Sequence, residues 1–216
     1  AVVQAAVMWN FIYVPLEYGP FAPVIRGNPW GLDGRNGRLV HEDYGYVVFD
    51  WDNTFAAYML SLDAKDYAYS ALIQLVKSKT ARGFVPNSAA STCKANHSQP
   101  PIAAKVLHEI YVKYREAWLV ELLFDDLLDW SNWFAAERVL APANLTCLGG
   151  AGMQNARFES GLDNSPMYDG EFWKPRGAGG QGQMQLYDVG MTSMVVQSDD
   201  SLAALAEALG RPEAGA

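Results

Sequence analysis

Apolar residues recur at helical spacing through most of the chain, and long stretches rich in glycine, proline and asparagine interrupt them. The opening Ala1 to Phe11 is an Ala/Val-rich run that stops short of Pro15, which fits a buried helix already under way at the first residue. From Pro15 to Tyr46 the residues Pro20, Pro23, Gly27, Pro29, Gly31, Gly34 and Gly37 forbid any long regular element, so one long loop is expected. Tyr46-Val-Val-Phe49 then leads as a short extended run into a helix that includes Tyr58, Met59 and Leu60. Asp52 or Asn53 is placed to cap it, because a side-chain oxygen there satisfies an orphan backbone N–H. Asp63 to Thr80 predicts a further helix, with Tyr67, Ala71, Leu75 and Ser78 in a stripe, Leu72 and Val76 alongside, and Arg82-Gly83 closing it.

After a turn at Gly83-Phe-Val-Pro-Asn87 and the segment Asn96-His97-Ser98-Gln99-Pro100-Pro101, a helix is predicted from Pro101, which suits a first helical turn, to about Tyr114. A second, from Glu116 to Leu140, makes a hairpin with it. Beyond lie a glycine-bearing connection, the polar loop Arg157 to Gly170, and a flexible glycine-rich run from Lys174 to Gln183. Two more helices are expected, Gln185 to Val196 and Ser201 to Gly210, the latter built of good helix formers. The pattern is all-α: about seven helices, paired and joined by glycine-rich loops, in one domain over residues 1–216.

Composition narrows the partners. At 216 residues the chain can bury a substantial core without needing two domains. No apolar run is long enough to span a bilayer. A formal charge of −8 argues against nucleic acid, which needs a surplus of Lys and Arg, and favours a neutral or polar substrate. Cys93 and Cys147 are the only cysteines, with no C-x-x-C or Cys/His cluster for zinc; free thiols and one disulfide both remain open. No signal peptide is visible and the chain begins with Ala, so a processed or excised piece of a longer protein is expected. Asp125-Asp126-x-x-Asp129 spells a magnesium-diphosphate pattern, but on a helix Asp125 and Asp129 share one face, and a solvated acidic face explains the spacing without a metal.

The chemistry concentrates in Glu159-Ser-Gly161-Leu-Asp163-Asn-Ser-Pro166. Gly161, Pro166 and Gly170 permit a backbone path that neither helix nor strand would follow, so a loop held between rigid elements can aim Glu159 and Asp163 inward. A carboxyl held in that way can give or take a proton. Trp51-Asp52 combines an indole face with a carboxylate, a pair suited to the C–H groups and hydroxyls of a pyranose.

The stretch E-S-G-L-D-N-S-P resembles the signature loop of glycoside hydrolase family 63 and is similar to the corresponding loop of trehalases. Trp51-Asp52, the G-x-x-P-N turn ending at Asn87, and the segment ending Ser98-Gln99-Pro100-Pro101 match the same families. The resemblance implies an (α/α)6 toroid of six helical hairpins; with seven helices against twelve, the chain looks like the N-terminal half of the catalytic domain, an incomplete toroid. It further implies an inverting α-glycosidase, most simply an α-glucosidase acting on oligosaccharides or small glycosides, with no metal or organic cofactor. Asp163 matches the general acid, and Trp51, Asp52, Asn87, Gln99 and Gly161 match sugar-binding positions. Glu159 can either touch substrate or anchor the loop. His97 stands where the family has Arg, which exchanges a permanent fork of donors for a titratable imidazole. The catalytic base of the family is a Glu from a later hairpin, beyond residue 216, so the missing C-terminal half is an expected partner. A non-catalytic carbohydrate-binding or scaffold fragment is the competing class.

Overall fold

The computed structural model describes residues 2–14, 19–21, 48–89, 96–176 and 181–211. Most of the loop expected from Pro15 to Tyr46, and Cys93, lie outside them. The chain begins with α1 (Val2–Asn10) and the antiparallel pair β1 (Ile12–Val14) and β2 (Gly19–Phe21). The strand β3 (Val48–Phe49) leads into α2 (Asp50–Leu60), and α3 (Lys65–Lys77) follows after a four-residue turn. After β4 (Ser88–Ala89), which pairs with β3, come α4 (Ala103–Tyr114) and α5 (Ala117–Glu137). The strands β5 (Val139–Leu140), β6 (Leu145–Thr146) and β7 (Gly149–Gly150) precede the short α6 (Met153–Glu159). Finally β8 (Trp173–Pro175) and β9 (Gly182–Met184) complete a sheet of order β7-β9-β8, and α7 (Val189–Ala208) closes the described chain.

The helices form two layers. In α2 the buried positions Asp50, Asn53, Thr54, Ala57 and Leu60 follow the 3.6-residue period, and their small side chains let α3 pack closely. Helix α4 lies between α2 and α7, while α5 packs on α7, α4 and α3. The inner row is therefore α2, α4, α7 and the outer row α3, α5: a sector of an (α/α) toroid. Phe84, Phe124, Trp130, Phe134, Leu72, Leu75 and Leu107 fill the space between the rows. The short turns after α2 and α4 meet at one end, where Lys113 Nζ and Tyr114 Oη donate to the Ser61 carbonyl at 2.6 Å each and Lys65 pairs with Glu116. The described parts of the long connections, 78–89 with 96–102 and 138–176 with 181–188, gather at the other end, beside the N-termini of the inner helices.

Several boundaries and one helix pair differ from expectation. The first helix is not buried: Val2 and Trp9 are exposed and only Val7 enters the core, because α1 has α2 as its helical neighbour. Helix α3 ends at Lys77 rather than Thr80, and residues 78–83 wind through a turn in which Gly83, at φ +92°, donates to the Thr80 carbonyl. Pro101 precedes its helix by two residues. Helix α5 stops at Glu137, since Arg138 turns inward and Val139–Leu140 pair with β6. The two helices expected over Gln185–Val196 and Ser201–Gly210 are the single α7: Asp188 caps it at Met191 N, and the polar stretch Gln197 to Asp200 contains no glycine or proline to break it. The run Lys174–Gln183 contributes ends of two strands. Asp126 and Asp129 both ion-pair with Lys79, at 2.5 and 2.6 Å, and Asp125 pairs with Arg211 at 2.9 Å, so the acidic spacing serves surface ion pairs.

Phe124 is wholly buried where α5 faces the inner row. Phe124→Ala removes that ring and leaves a cavity, with an expected loss of about 3–5 kcal/mol in urea-induced unfolding. A loss below about 1 kcal/mol would contradict the two-row packing.

Candidate active site

The site forms where three loops meet the start of α2. The pairings Val48↔Ala89 and Phe49↔Ser88, with Asp50 N–H donating to the Asn87 carbonyl at 3.2 Å, fix the entry to the helix. The N-cap is Phe49, with no side-chain cap, which overturns the expectation of Asp52 or Asn53 in that role. The short strand pairing sets the helix start three or four residues earlier, placing Asp52 within the first turn and Asn53 wholly inside, its Nδ2 donating to the Ala71 carbonyl at 2.7 Å. Asp50 and Asp52 thus both sit near the positive end of the helix dipole.

Behind this turn lies a buried polar hub centred on Glu159, the last residue of α6. Glu159 Oε1 accepts from Ser98 N–H at 2.9 Å and from Arg138 Nη2 at 3.0 Å. Its Oε2 accepts from Arg138 Nε at 2.6 Å and from Gly149 N–H at 2.5 Å. Neither side chain is open to water, so Glu159 anchors the loop by hydrogen bonds and its carboxyl lies away from the surface. The Arg138 guanidinium also lies over the Trp133 ring at 4.4 Å. Ser98 extends the hub, its hydroxyl donating to the Val85 carbonyl at 2.6 Å and accepting from Trp130 Nε1 at 2.9 Å. A Cβ on Gly149 would come within 2.6 Å of Arg138 Cζ, so only glycine lets that strand reach the ion pair.

Two expected sugar-binding amides are partly committed to this frame. Asn87 Nδ2 donates to the Phe158 carbonyl at 3.1 Å, and Gln99 Oε1 accepts from Trp51 N–H at 3.2 Å. His97, which stands where the family has Arg, is buried: its Nδ1 meets Asn96 Oδ1 and its ring lies 6.3 Å from that of Phe158. The imidazole is short enough to fold into the interior where a guanidinium would reach further.

The open face carries Trp51, Asp52, Gly161 and Asp163. Gly161 has φ +72°, and a Cβ there would stand 2.2 Å from Trp51 Cζ2, so the loop backbone lies directly against the indole. Asp163 follows two residues later with an exposed carboxyl. Desolvation by its surroundings raises the Asp163 pKa above the ordinary carboxylate value, against a smaller opposing effect from its own backbone N–H. Asp52 is also raised, first by desolvation and then, after its own N–H has pulled the other way, by the charge of Asp163. The two acids therefore sense one another across the site. Downstream, Tyr168 Oη donates to Asp188 Oδ2 at 2.8 Å while Asp188 Oδ1 caps α7, tying the acid loop to the third inner helix.

Arg138, Asp188 and the wholly buried Asp50 went unnoticed in the sequence. Asp50 alone left a signal there: an acid between Phe49 and Trp51, inside an otherwise apolar run. Among the described residues no cluster of His, Cys, Asp or Glu could hold a metal ion.

Removing Arg138 leaves the Glu159 carboxylate buried beside two backbone N–H groups only. Arg138→Met is expected to destabilise the chain by about 3–5 kcal/mol in chemical denaturation. Stability within about 0.5 kcal/mol of wild type would show that the hub does not hold the site loops.

Comparisons with known proteins agree with this fold. Residues 45–216 match the family model described as a mannosylglycerate hydrolase MGH1-like glycoside hydrolase domain. No curated protein matches the chain. Among solved structures, an uncharacterized conserved protein from Thermus thermophilus aligns with TM-score 0.58 and 18% identity, over 81% of this chain and 57% of its own. The GH63 mannosylglycerate hydrolase from the same organism, in complex with glucose, aligns with TM-score 0.58 and 19% identity, over 78% of this chain and 55% of its own. At that identity the likeness is one of fold, and the chain spans little more than half the length of these proteins. The match over residues 45–216 establishes that the chain belongs to the MGH1-like glycoside hydrolase family.

Proposed function

We propose that this chain carries the proton-donor half of an inverting α-glycosidase site, with Asp163 as general acid. The observation that carries the reading is the placement of Asp163 on an open loop, beside Trp51 and Asp52, with its carboxyl pKa raised by desolvation. A proton held there passes to the glycosidic oxygen as the bond to the anomeric carbon breaks. Water, activated by a second carboxylate, adds from the opposite face of the ring and gives the inverted hemiacetal. That base is assigned to hairpins beyond residue 216, in keeping with a chain that spans about half of its structural relatives. Exposed apolar side chains on α1, α2 and α7, among them Trp9, Phe55, Tyr58, Val189 and Val196, support the assignment, because such edges suit further hairpins.

In the sugar subsite, the Trp51 indole faces ring C–H groups and Asp52 accepts from hydroxyls. Asn87 Oδ1 and Gln99 Nε2, the amide atoms not used by the frame, contact further hydroxyls, and the Gly161 carbonyl approaches the ring. Glu159 acts behind them by fixing the loop. The substrate is an α-glucoside of an oligosaccharide or small aglycone. A second reading, a small α-mannoside, is favoured by the mannosylglycerate hydrolases that share the fold and the family description.

The test supplies residues 1–216 with the complementary hairpins and measures hydrolysis of nitrophenyl α-glucoside, nitrophenyl α-mannoside and mannosylglycerate. Asp163→Asn should lower kcat by about 10²–10⁴-fold on substrates with alcohol leaving groups, and far less on dinitrophenyl glycosides, which need no protonation. Because the acid works in its protonated form and its pKa is raised, activity should fall as pH rises through that value, and the limb should vanish in the variant. An Asp163→Asn enzyme with a tenth of normal turnover on alcohol leaving groups would remove the residue from this role. Sugar binding without turnover in the completed domain would instead identify a carbohydrate-binding scaffold.

A further inference from the structure

Asp50 opens α2, immediately before Trp51, and is wholly buried. Its backbone is fixed on both sides: the N–H donates to the Asn87 carbonyl at 3.2 Å, and the carbonyl accepts from Thr54 Oγ1 at 3.0 Å. Its carboxyl has no such ties. Among the described residues neither oxygen meets hydrogen-bond geometry, and the backbone N–H of Gln99 favours the charged form only in part. A buried acid usually serves as an anchor for neighbouring donors, as Glu159 does; here no described donor closes a hydrogen bond to either oxygen, and the Gln99 N–H offsets burial only in part. An ionised carboxylate without a partner in such a place is much costlier than the neutral acid, so the group keeps its proton.

We propose that Asp50 is a positioning residue of the Trp51–Asp52 platform: a neutral carboxyl packed beneath it, between the first turn of α2 and the 96–102 segment, whose ionisation dislodges both platform residues. The inference rests on the reading of Trp51 and Asp52 as sugar-binding. On its own helix the charge that bears on Asp50 is that of Asp52, and Asp163 acts on Asp52 in turn. The 96–102 segment brings the backbone N–H of Gln99 and buried His97, while Glu159, behind Ser98, already has Arg138 as counter-ion. Burial is the largest influence on Asp50, and it acts with the charge of Asp52 to hold the pKa well above the ordinary carboxylate value. A negative charge forming there meets Asp52 and, among the described residues, has the partial positive charge of the helix start but no cation to pair with. Relief requires the first turn of α2 to shift, which breaks the bond from Trp51 N–H to Gln99 Oε1 and draws the indole off Gly161.

The linkage has a definite sign. Below the unfolded-state pKa near 4, Asp50 is protonated folded and unfolded alike; as pH rises, the unfolded chain releases the proton and the folded chain keeps it, so stability falls until the folded-state pKa is passed. Asp50→Asn and Asp50→Leu, which hold the volume without a charge, remove this term. The melting temperature of residues 1–216 and of both variants is measured from pH 4 to pH 9, together with calorimetric binding of methyl α-glucoside and methyl α-mannoside. The Asn variant should match wild type near pH 4 and gain steadily above it. It should bind the glycoside at pH 9 at least about threefold more tightly than wild type, with equal affinity at pH 5.

A stability difference that does not change with pH in either variant would overturn the proposal. So would loss of glycoside binding by folded Asp50→Asn at pH 5, which would make the ionised carboxylate itself the functional group. Trp51→Ala serves as the separate control. If it binds glycoside as wild type does, the sugar-platform reading fails, while the pH-dependent melting still decides whether Asp50 is held neutral.

Discussion

The bidentate contact of Arg138 with Glu159 is the constraint on which the site depends. Glu159 ends α6, Arg138 follows α5, Ser98 belongs to the connection before α4, and Gly149 begins the sheet under the acid loop. Four segments distant in sequence are thereby held by one carboxylate. Taking both charges out of water offsets much of what their attraction contributes, so the value of the pair lies in geometry more than in net stability. Every donor around Glu159 has a fixed direction, and a loop entering the hub in another register would leave a buried charge unpaired. Asp163, four residues beyond, inherits its position from that arrangement.

The site separates into a buried frame and an open face. Asn87, Gln99 and Glu159 use side-chain atoms to bind the loops to one another, while Trp51, Asp52, Gly161 and Asp163 line the exposed side. Gly161 joins the two parts: its lack of a side chain brings the acid loop into contact with the indole. The acids on the open face have raised pKa values for a common reason, partial desolvation by their surroundings, with Asp163 adding its charge to the effect on Asp52.

The helical layers were legible in the sequence because long amphipathic stretches such as α4 and α5 repeat apolar positions often enough to fix their period. The Glu159 to Asp163 loop stood out because Gly161 and Pro166 restrict its backbone, and Trp51-Asp52 because an indole beside a carboxylate is the pairing that a sugar site calls for. What escaped had non-local causes. The start of α2 is set by pairing of Val48–Phe49 with Ser88–Ala89, some forty residues away in sequence, and no local cap announces it. Arg138 reads as an ordinary charged residue at a helix end; its ion pair exists only once α6 folds back. The division of α7 into two helices was suggested by a polar stretch, but polarity without glycine or proline changes which face is solvated and leaves the helix intact. The exposure of α1 follows from how few elements cover it, which its own sequence does not encode.

Cys147 lies in the same layer as the hub, fully buried, its N–H bonded to the Arg138 carbonyl at 2.8 Å. Burial, partly opposed by the Arg138 charge and reinforced by that of Glu159, pushes its thiol up to about 12. The thiolate is the reactive form, so at neutral pH this sulfur is shielded both sterically and electronically. Its alkylation must wait for a fluctuation that separates β6 and β7 from the end of α5. The native chain thus contains an intrinsic kinetic clock, and the labelling rate of this one thiol counts how often the foundation under the Asp163 loop comes apart.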